Sequence, residues 1–252
     1  RQQKEPAVPD TRAHRGPHPR DDDFFAPAAL PDLQSAVAHL SWLLSRGYAD
    51  KSSLKLVGDR FGLAQRQRTA VMRSACSDDA LVRRIAHRVE PAALCDGIVL
   101  IDGFNLLTTI EAALSGGVIL WGRDGCFRDM ASMHGSYRKV HETQPAILCI
   151  GAYLAECGVR AATWLLDSPV SNSGRLKTML LDLAAHQNWN WQVEVVQNPD
   201  PLLEAAPDII ITADSGILDR CQRWSNAARA IVEGRMTAAQ VVDLSGGNTL
   251  VA

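Results

Sequence analysis

The sequence contains no apolar run approaching the ~18 residues that cross a bilayer, which argues against a membrane-spanning helix. No apolar stretch of signal-peptide type lies near the N-terminus, so none is expected. Its six cysteines (76, 95, 126, 149, 157 and 221) never form C-x-x-C, and none pairs with a histidine at zinc-finger spacing. They read as reduced, mostly buried thiols of a cytoplasmic protein. The absence of G-x-S-x-G and of a P-loop argues against serine-hydrolase and P-loop NTPase chemistry. Gly116-Gly117 is followed by no dinucleotide fingerprint. Aromatic residues make up only 6%, and the six tryptophans are scattered, as core fillers are. No internal repeat is present.

What remains is a 252-residue chain, 46% apolar and 21% charged, long enough for a substantial core in one large or two smaller domains. Its net charge of -2 is unevenly spread. Residues 1–31 hold six of the twelve prolines, with five basic and five acidic residues. That composition offers little apolar surface to offset ordering entropy, so the segment is expected to be a disordered tail. Residues 32–94 carry ten Lys/Arg against six Asp/Glu, a net of +4. Residues 95–252 carry eleven against seventeen, a net of -6. The reading is a basic module joined to an acidic one.

The basic module, 32–94, is expected to be helical. Leu33, Val37, Leu40 and Leu44 fall on one helix face, with Asp32 as a start and Gly47 as a stop. A second helix begins near Ser52 or Ser53, and Gly62 breaks it before a third from Ala64 to about Ala75. Two short helices around a glycine turn suggest a helix-turn-helix-like unit. Arg66 and Arg73, seven apart, share a face where they are candidate phosphate contacts. An ordinary solvated face is the equal alternative.

The acidic module, 95–252, alternates strand and helix. The apolar, β-branched run Gly97–Ile101 reads as a buried parallel strand, and Val118–Trp121, Ala162–Leu166, Trp191–Val196 and Ile209–Thr212 read as further strands, with a last one at Val241–Leu244. Amphipathic helices are expected through Leu106–Leu114, Pro145–Glu156 and 174–187, with another beginning at Ile217–Trp224; residues 125–140 read as irregular or short helix. Repeated βα units imply an open, mostly parallel α/β sheet of Rossmann-like type with helices on both faces, preceded by the small helical domain.

Carboxylates mark the strand ends. Asp102, Asp167 and Asp214 each close a predicted strand, and Asp124 lies three residues beyond another. Parallel strands bring such ends to the edge where open α/β sheets bind ligands. Clustered carboxylates repel one another unless a divalent cation neutralises them, and oxygen-only ligation favours Mg²⁺ or Mn²⁺. Any single one of these residues is also a natural helix N-cap. Arg128, His134, Tyr137 and Arg138 lie in a polar, glycine-containing stretch and are candidate phosphate contacts, with His134 either a proton shuttle or an ordinary structural or exposed histidine. Ser168, Ser171 and Ser173, before Gly174, suit either a phosphate-contacting loop or capping.

Ile101-Asp102-Gly103-Phe104-Asn105 resembles the opening signature of NYN/PIN-like nuclease domains, and Thr212-Ala213-Asp214-Ser215 resembles their later T-x-D-S element. Further stretches are Glu111–Gly116, Asp124–Asp129 through His134–Arg138, and Asp167–Gly174. Together they are similar to an uncharacterised prokaryotic family with a PIN-like C-terminal domain. Arg46-Gly47-Tyr48, Val57-Gly58-x-Arg60 and Gln67-Arg68 are similar to that family's helical N-terminal domain. The resemblance covers about residues 33–245. It implies that Asp102 is the first metal ligand, that Asn105 orients it or a phosphate, and that Asp167 and Asp214 are further ligands supported by Ser215. Where NYN-type domains often read D-S-D, this chain has Gly216. Asp124, Asp129 or Glu111 then stands as the source of the missing charge.

The expected function is metal-dependent phosphodiester hydrolysis, on RNA rather than DNA, with Asp102, Asp124, Asp167 and Asp214 holding Mg²⁺ or Mn²⁺. The basic module would grip a nucleic-acid backbone that the acidic site alone would repel. The alternatives are a non-catalytic nucleic-acid-binding protein with a degenerate site, and another α/β phosphohydrolase. The third would use Asp102 as nucleophile, but it needs an acid at position 104, which is Phe. No membrane partner is expected, and self-association into a homo-oligomer is left open.

Overall fold

In the computed structural model of the chain, the described residues are 14–131 and 137–246. Five helices come first: α1 (Asp21–Phe24), α2 (Leu30–Leu44), α3 (Asp50–Arg60), α4 (Gln65–Ser74) and α5 (Asp78–His87). The α/β part then runs β1 (Ile98–Asp102), α6 (Gly103–Leu114), β2 (Ile119–Trp121), β3 (Phe127–Asp129), α7 (Thr143–Glu156), β4 (Ala161–Asp167) and α8 (Ser173–Gln187). It continues with β5 (Trp191–Val196), α9 (Asp200–Ala205), β6 (Ile209–Ile211), α10 (Ser215–Leu218), β7 (Trp224–Ser225), α11 (Ala227–Arg235) and β8 (Val241–Asp243).

The main sheet has five parallel strands in the order β5-β4-β1-β6-β7. From β1 the chain proceeds outward to β4 and β5, then crosses to the far side of β1 for β6. The strand order therefore reverses between β1 and β6, which is the topological switch point of this α/β architecture. Side chains alternate across the strands. Val99, Ile101, Trp164, Ile209 and Ile211 pack with α6, α7, α8 and α11 on one face. Leu100, Leu165 and Ile210 pack with α9, α10 and Trp224 on the other.

A second sheet, β3-β2-β8, joins the antiparallel pair β2/β3 to the parallel pair β2/β8. It is a shared wall. Ile119 and Phe127 face the main core, while Val118, Leu120, Val242 and Leu244 face Leu33, Val37, Val57 and Val71 of the helical part. The predicted boundary between 32–94 and 95–252 is therefore no gap in the packing, because the helices of the first segment cover a sheet of the second.

The expectation of a disordered tail over 1–31 fails for residues 14–31; residues 1–13 lie outside the described residues. Arg15 is buried against Glu111. The Asp21 carboxylate, fully buried, accepts Arg66 Nη2 at 2.7 Å and the His18 amide at 2.9 Å. Phe25 joins the helical core, and Pro27 and Pro31 sit in first helical turns, where proline is tolerated. Two buried ion pairs, invisible to composition, order a segment that apolar area alone would not.

The helical part has the two short helices expected around Gly62, which takes φ +59° between α3 and α4. However, α4 is wedged against α2 and β2, and of its residues only Gln65 is exposed. A groove-reading helix would need a free face, so this one is structural.

Candidate active site

The last residue of β1, Asp102, occupies the N-cap position of α6, yet its side chain caps nothing. Its Oδ2 instead accepts the Thr212 hydroxyl at 2.8 Å, across the switch point from the end of β6. Gly103 lets the chain turn here: a Cβ would lie 2.5 Å from the Leu166 side chain and 2.9 Å from the Leu165 carbonyl. The D-G pair thus places a carboxylate where α6 starts hard against β4. Asp102 is only 8% exposed. Burial lifts its pKa to about 7, and the negative charges of Asp214, Asp200 and Asp167 push the same way against the Thr212 hydroxyl.

Three further acids share this edge. Asp167 ends β4; burial and the neighbouring Asp200 raise its carboxyl above the ordinary range. Asp200 opens α9 after β5 and is raised by burial and by the charge of Asp214 and Glu204. Asp214 follows β6 and does cap: its Oδ1 accepts the Gly216 and Ile217 amides at 2.8 and 3.2 Å. The capping reading of strand-end acids is therefore observed for Asp214 and absent for Asp102. Sequence reasoning brought Asp102, Asp167 and Asp214 to this edge but missed Asp200. Its signal was the same strand-end position, hidden by the loop Gln197-Asn198-Pro199.

The turn carrying Asp214 is fastened from several directions. The Ala213 amide donates to Asn105 Oδ1 at 2.8 Å, and the Ala213 carbonyl accepts Arg128 Nε at 2.7 Å. The Asp214 amide donates to the Thr212 hydroxyl at 3.0 Å, and the Ser215 carbonyl accepts Arg84 Nη2 at 3.2 Å. Asn105 and Ser215 are thus scaffold groups of the turn. Arg84, from α5, was not foreseen.

The remaining candidates lie elsewhere or are already engaged. Asp124 belongs to the β2–β3 turn, in the second sheet, and is no strand-end acid of the main one. It accepts Arg84 Nη1 at 2.6 Å and Arg128 Nη1 and Nη2 at 2.9 and 2.6 Å. Burial would raise its carboxyl, but Arg128 and Arg84 outweigh burial and hold it well below the usual carboxylate range. With its charge satisfied by two guanidiniums, it is no metal ligand, and Arg128 is no phosphate contact. Glu111 is fully buried, paired with Arg15 and accepting the Tyr137 and Thr143 hydroxyls at 2.5 and 2.6 Å. Asp129 is buried too; it accepts the Thr108 and Thr109 hydroxyls and the Ala131 amide at 3.1, 3.0 and 2.6 Å. Neither replaces the acid absent at Gly216.

Arg66 is spent on Asp21, and Arg73 donates to the carbonyls of Asp129 and Ala131 at 2.5 and 2.9 Å. Both arginines tie α4 to its neighbours, so neither is a phosphate contact of an open face. Ser171 is exposed in the loop after Asp167, and Arg138 is exposed beyond the buried Tyr137. His134 lies outside the described residues. The six cysteines are free thiols: three are buried, two half-buried, and Cys95 is exposed.

The donor set at the edge is made of hard carboxylate oxygens with a shared negative charge, which fits Mg²⁺ or Mn²⁺ in chemistry. Among the described residues, no group of three or more His, Cys, Asp or Glu side chains is spaced to hold a metal ion as it stands. The four acids meet through their fields rather than through finished coordination.

The family described as a domain of unknown function, DUF5616, matches residues 91–230. The family described as a protein of unknown function, DUF434, matches residues 32–86. The chain is 26% identical over 187 residues to the uncharacterized protein MJ0935 of Methanocaldococcus jannaschii, an alignment covering 74% of this chain and 88% of that one. No solved structure matches the chain. Among the described residues, no helix is long and apolar enough to cross a membrane.

Proposed function

Taking as premise that the chain belongs to the DUF5616 family, we propose that its acidic sheet edge is the site of a metal-dependent phosphodiesterase acting on nucleic acid, RNA rather than DNA. The observation that carries this reading is the buried Asp102 at the switch point, within the fields of Asp214, Asp200 and Asp167 and without the arginine partners that neutralise Asp124. An uncompensated buried carboxylate is costly, and sites that keep one use it. The preference for RNA rests on the resemblance of Ile101–Asn105 and Thr212–Ser215 to NYN/PIN-like signatures.

In this reading Asp102, Asp167, Asp200 and Asp214 would hold Mg²⁺ or Mn²⁺, which would supply charge stabilisation at a phosphodiester and activation of water. The chain's own contribution is placement. Thr212 holds one oxygen of Asp102 at the mouth of the switch point and leaves the other for a cation. Asn105, Arg84 and Arg128 fix the backbone of the turn that presents Asp214. The protein acts in the cytoplasm, in line with its unpaired thiols.

A specific pair of observations favours a second reading, a nucleic-acid-binding protein without cleavage. Gly216 stands where a further acid is expected, and the acids are not spaced as a finished ligand set. One experiment separates the two. The purified chain, incubated with 5′-labelled single-stranded RNA and Mn²⁺, is expected to shorten it, and Asp102→Asn is expected to lower the rate at least a hundredfold. A wild-type chain that binds the RNA but leaves it intact selects the second reading.

A further inference from the structure

A basic cleft lies between residues 137–140 and the start of α8, close to the acidic edge yet outside it. Its volume is about 280 Å³, and the cationic Arg138, Lys139 and Arg175 line it together with Leu176 and Met179. It continues into a more open trough of about 660 Å³ that shares Arg138 and Lys139 and adds His141. The connection to the acidic edge is short. Loop 168–172 runs from Asp167 to Asn172, and the Ser173 hydroxyl donates to the Asp167 carbonyl at 2.5 Å.

The wall of this cleft is built on the buried polar cluster around Glu111, which also anchors residues 14–31 through Arg15. The Tyr137 carbonyl accepts Asn172 Nδ2 at 2.8 Å, and the Arg138 carbonyl accepts Arg15 Nη2 at 3.3 Å. The Val140 amide donates to the Thr143 hydroxyl at 3.0 Å. Tyr137, Thr143 and Arg15 all converge on the fully buried Glu111. A buried ion pair is weak evidence for stability, because desolvation offsets its attraction. Here the cluster and Asn172 together pin the backbone at Tyr137, Arg138 and Val140, so the exposed cationic side chains of Arg138 and Lys139 leave a fixed segment. Pre-organised cations in a groove are what phosphate recognition requires.

We propose that this cleft binds backbone phosphates of a single nucleic-acid strand and leads the strand onto the acidic edge. The proposal rests on the phosphodiesterase reading for the direction of the strand, and it names Lys139 and Arg175 as substrate-binding residues alongside Arg138. Cations flanking a carboxylate site solve its central electrostatic difficulty: they retain a polyanion that four acids would otherwise repel.

The test measures binding of a fluorescein-labelled twelve-nucleotide RNA to the full chain by anisotropy in EDTA, where cleavage cannot interfere. Lys139→Glu with Arg175→Glu is expected to weaken binding at least tenfold. Lys139→Gln with Arg175→Gln is expected to weaken it by less and to reduce the slope of log K against log salt by about 1.4, the value for two lost phosphate contacts on a single strand. All these side chains are exposed, and circular dichroism is expected to be unchanged. Unchanged RNA affinity in both double variants overturns the cleft, whatever the protein cleaves. Absence of RNA binding by the wild type also overturns it. Binding that depends on Lys139 and Arg175 in a chain without Mn²⁺-dependent cleavage upholds the cleft and removes the phosphodiesterase reading.

Discussion

Asp102 and Asp124 are both buried carboxylates, and their neighbours separate them. Two guanidiniums surround Asp124, whereas Asp102 has one hydroxyl and three other acids. For Asp102 the folded pKa, about 7, lies above its ordinary value of 3.8. Folding therefore favours the protonated acid, and the associated stability is complete below about pH 4 and lost as pH rises through 7. A shift of about three units corresponds to at most about 4 kcal/mol. Asp102→Asn removes that dependence. In metal-free urea denaturation it is expected to match the wild type near pH 4 and to exceed it by up to about 4 kcal/mol at pH 8. An equal difference at both pH values would show that the carboxylate is already compensated. Three of the four edge acids were readable from the rule that strands end where ligands bind. Asp124 was misassigned because its strand looks like the others in sequence yet pairs in a different sheet. No local pattern reveals which sheet a three-residue strand joins.

The β6–α10 turn owes its shape to elements far from it in sequence. Arg84 reaches it from α5 and Arg128 from β3, and Asp124 holds both guanidiniums in place. Asp124→Asn leaves the buried Arg128 without a counter-charge and Arg84 with Asp219 alone, and breaking a buried pair typically costs about 3–5 kcal/mol. Equilibrium denaturation should show a loss of that order. A stability loss near zero, together with lost metal affinity, would instead return Asp124 to the ligand set. Strand β1 was visible as an apolar run, β4 as a mostly apolar one, and β5 as an alternating one. Strands β3 (Phe-Arg-Asp) and β7 (Trp-Ser) were not, because their few residues are at least half polar, whereas the equally short β6 is Ile-Ile-Ile. Helix α7 was foreseen from Pro145 and begins two residues earlier, within ordinary end variation.

At the scale of the whole molecule, the α/β class was readable from the alternation of strands and helices, and the packing of the N-terminal segment was not. Charge and proline content describe a chain's average tendency, whereas two specific pairs, Arg15–Glu111 and Asp21–Arg66, decide the fate of residues 14–31. The helical and α/β parts share a core across β2 and β8, so they are expected to unfold together. A fragment of residues 95–252 uncovers Val118, Leu120, Val242 and Leu244 and removes Arg84 from Asp124. It is expected to lack a cooperative thermal transition and to bind a hydrophobic dye. A fragment that melts cooperatively near the full chain's temperature would restore the two-module description.

The central claim is that the acids at the switch point hold a divalent cation. Calorimetric titration of Mn²⁺ into the full chain at pH 8 tests it most directly, comparing the wild type with Asp102→Asn. Saturable binding to the wild type and at least a tenfold loss of affinity in the variant are expected. Equal affinity in the two proteins, or no binding to the wild type, would contradict it.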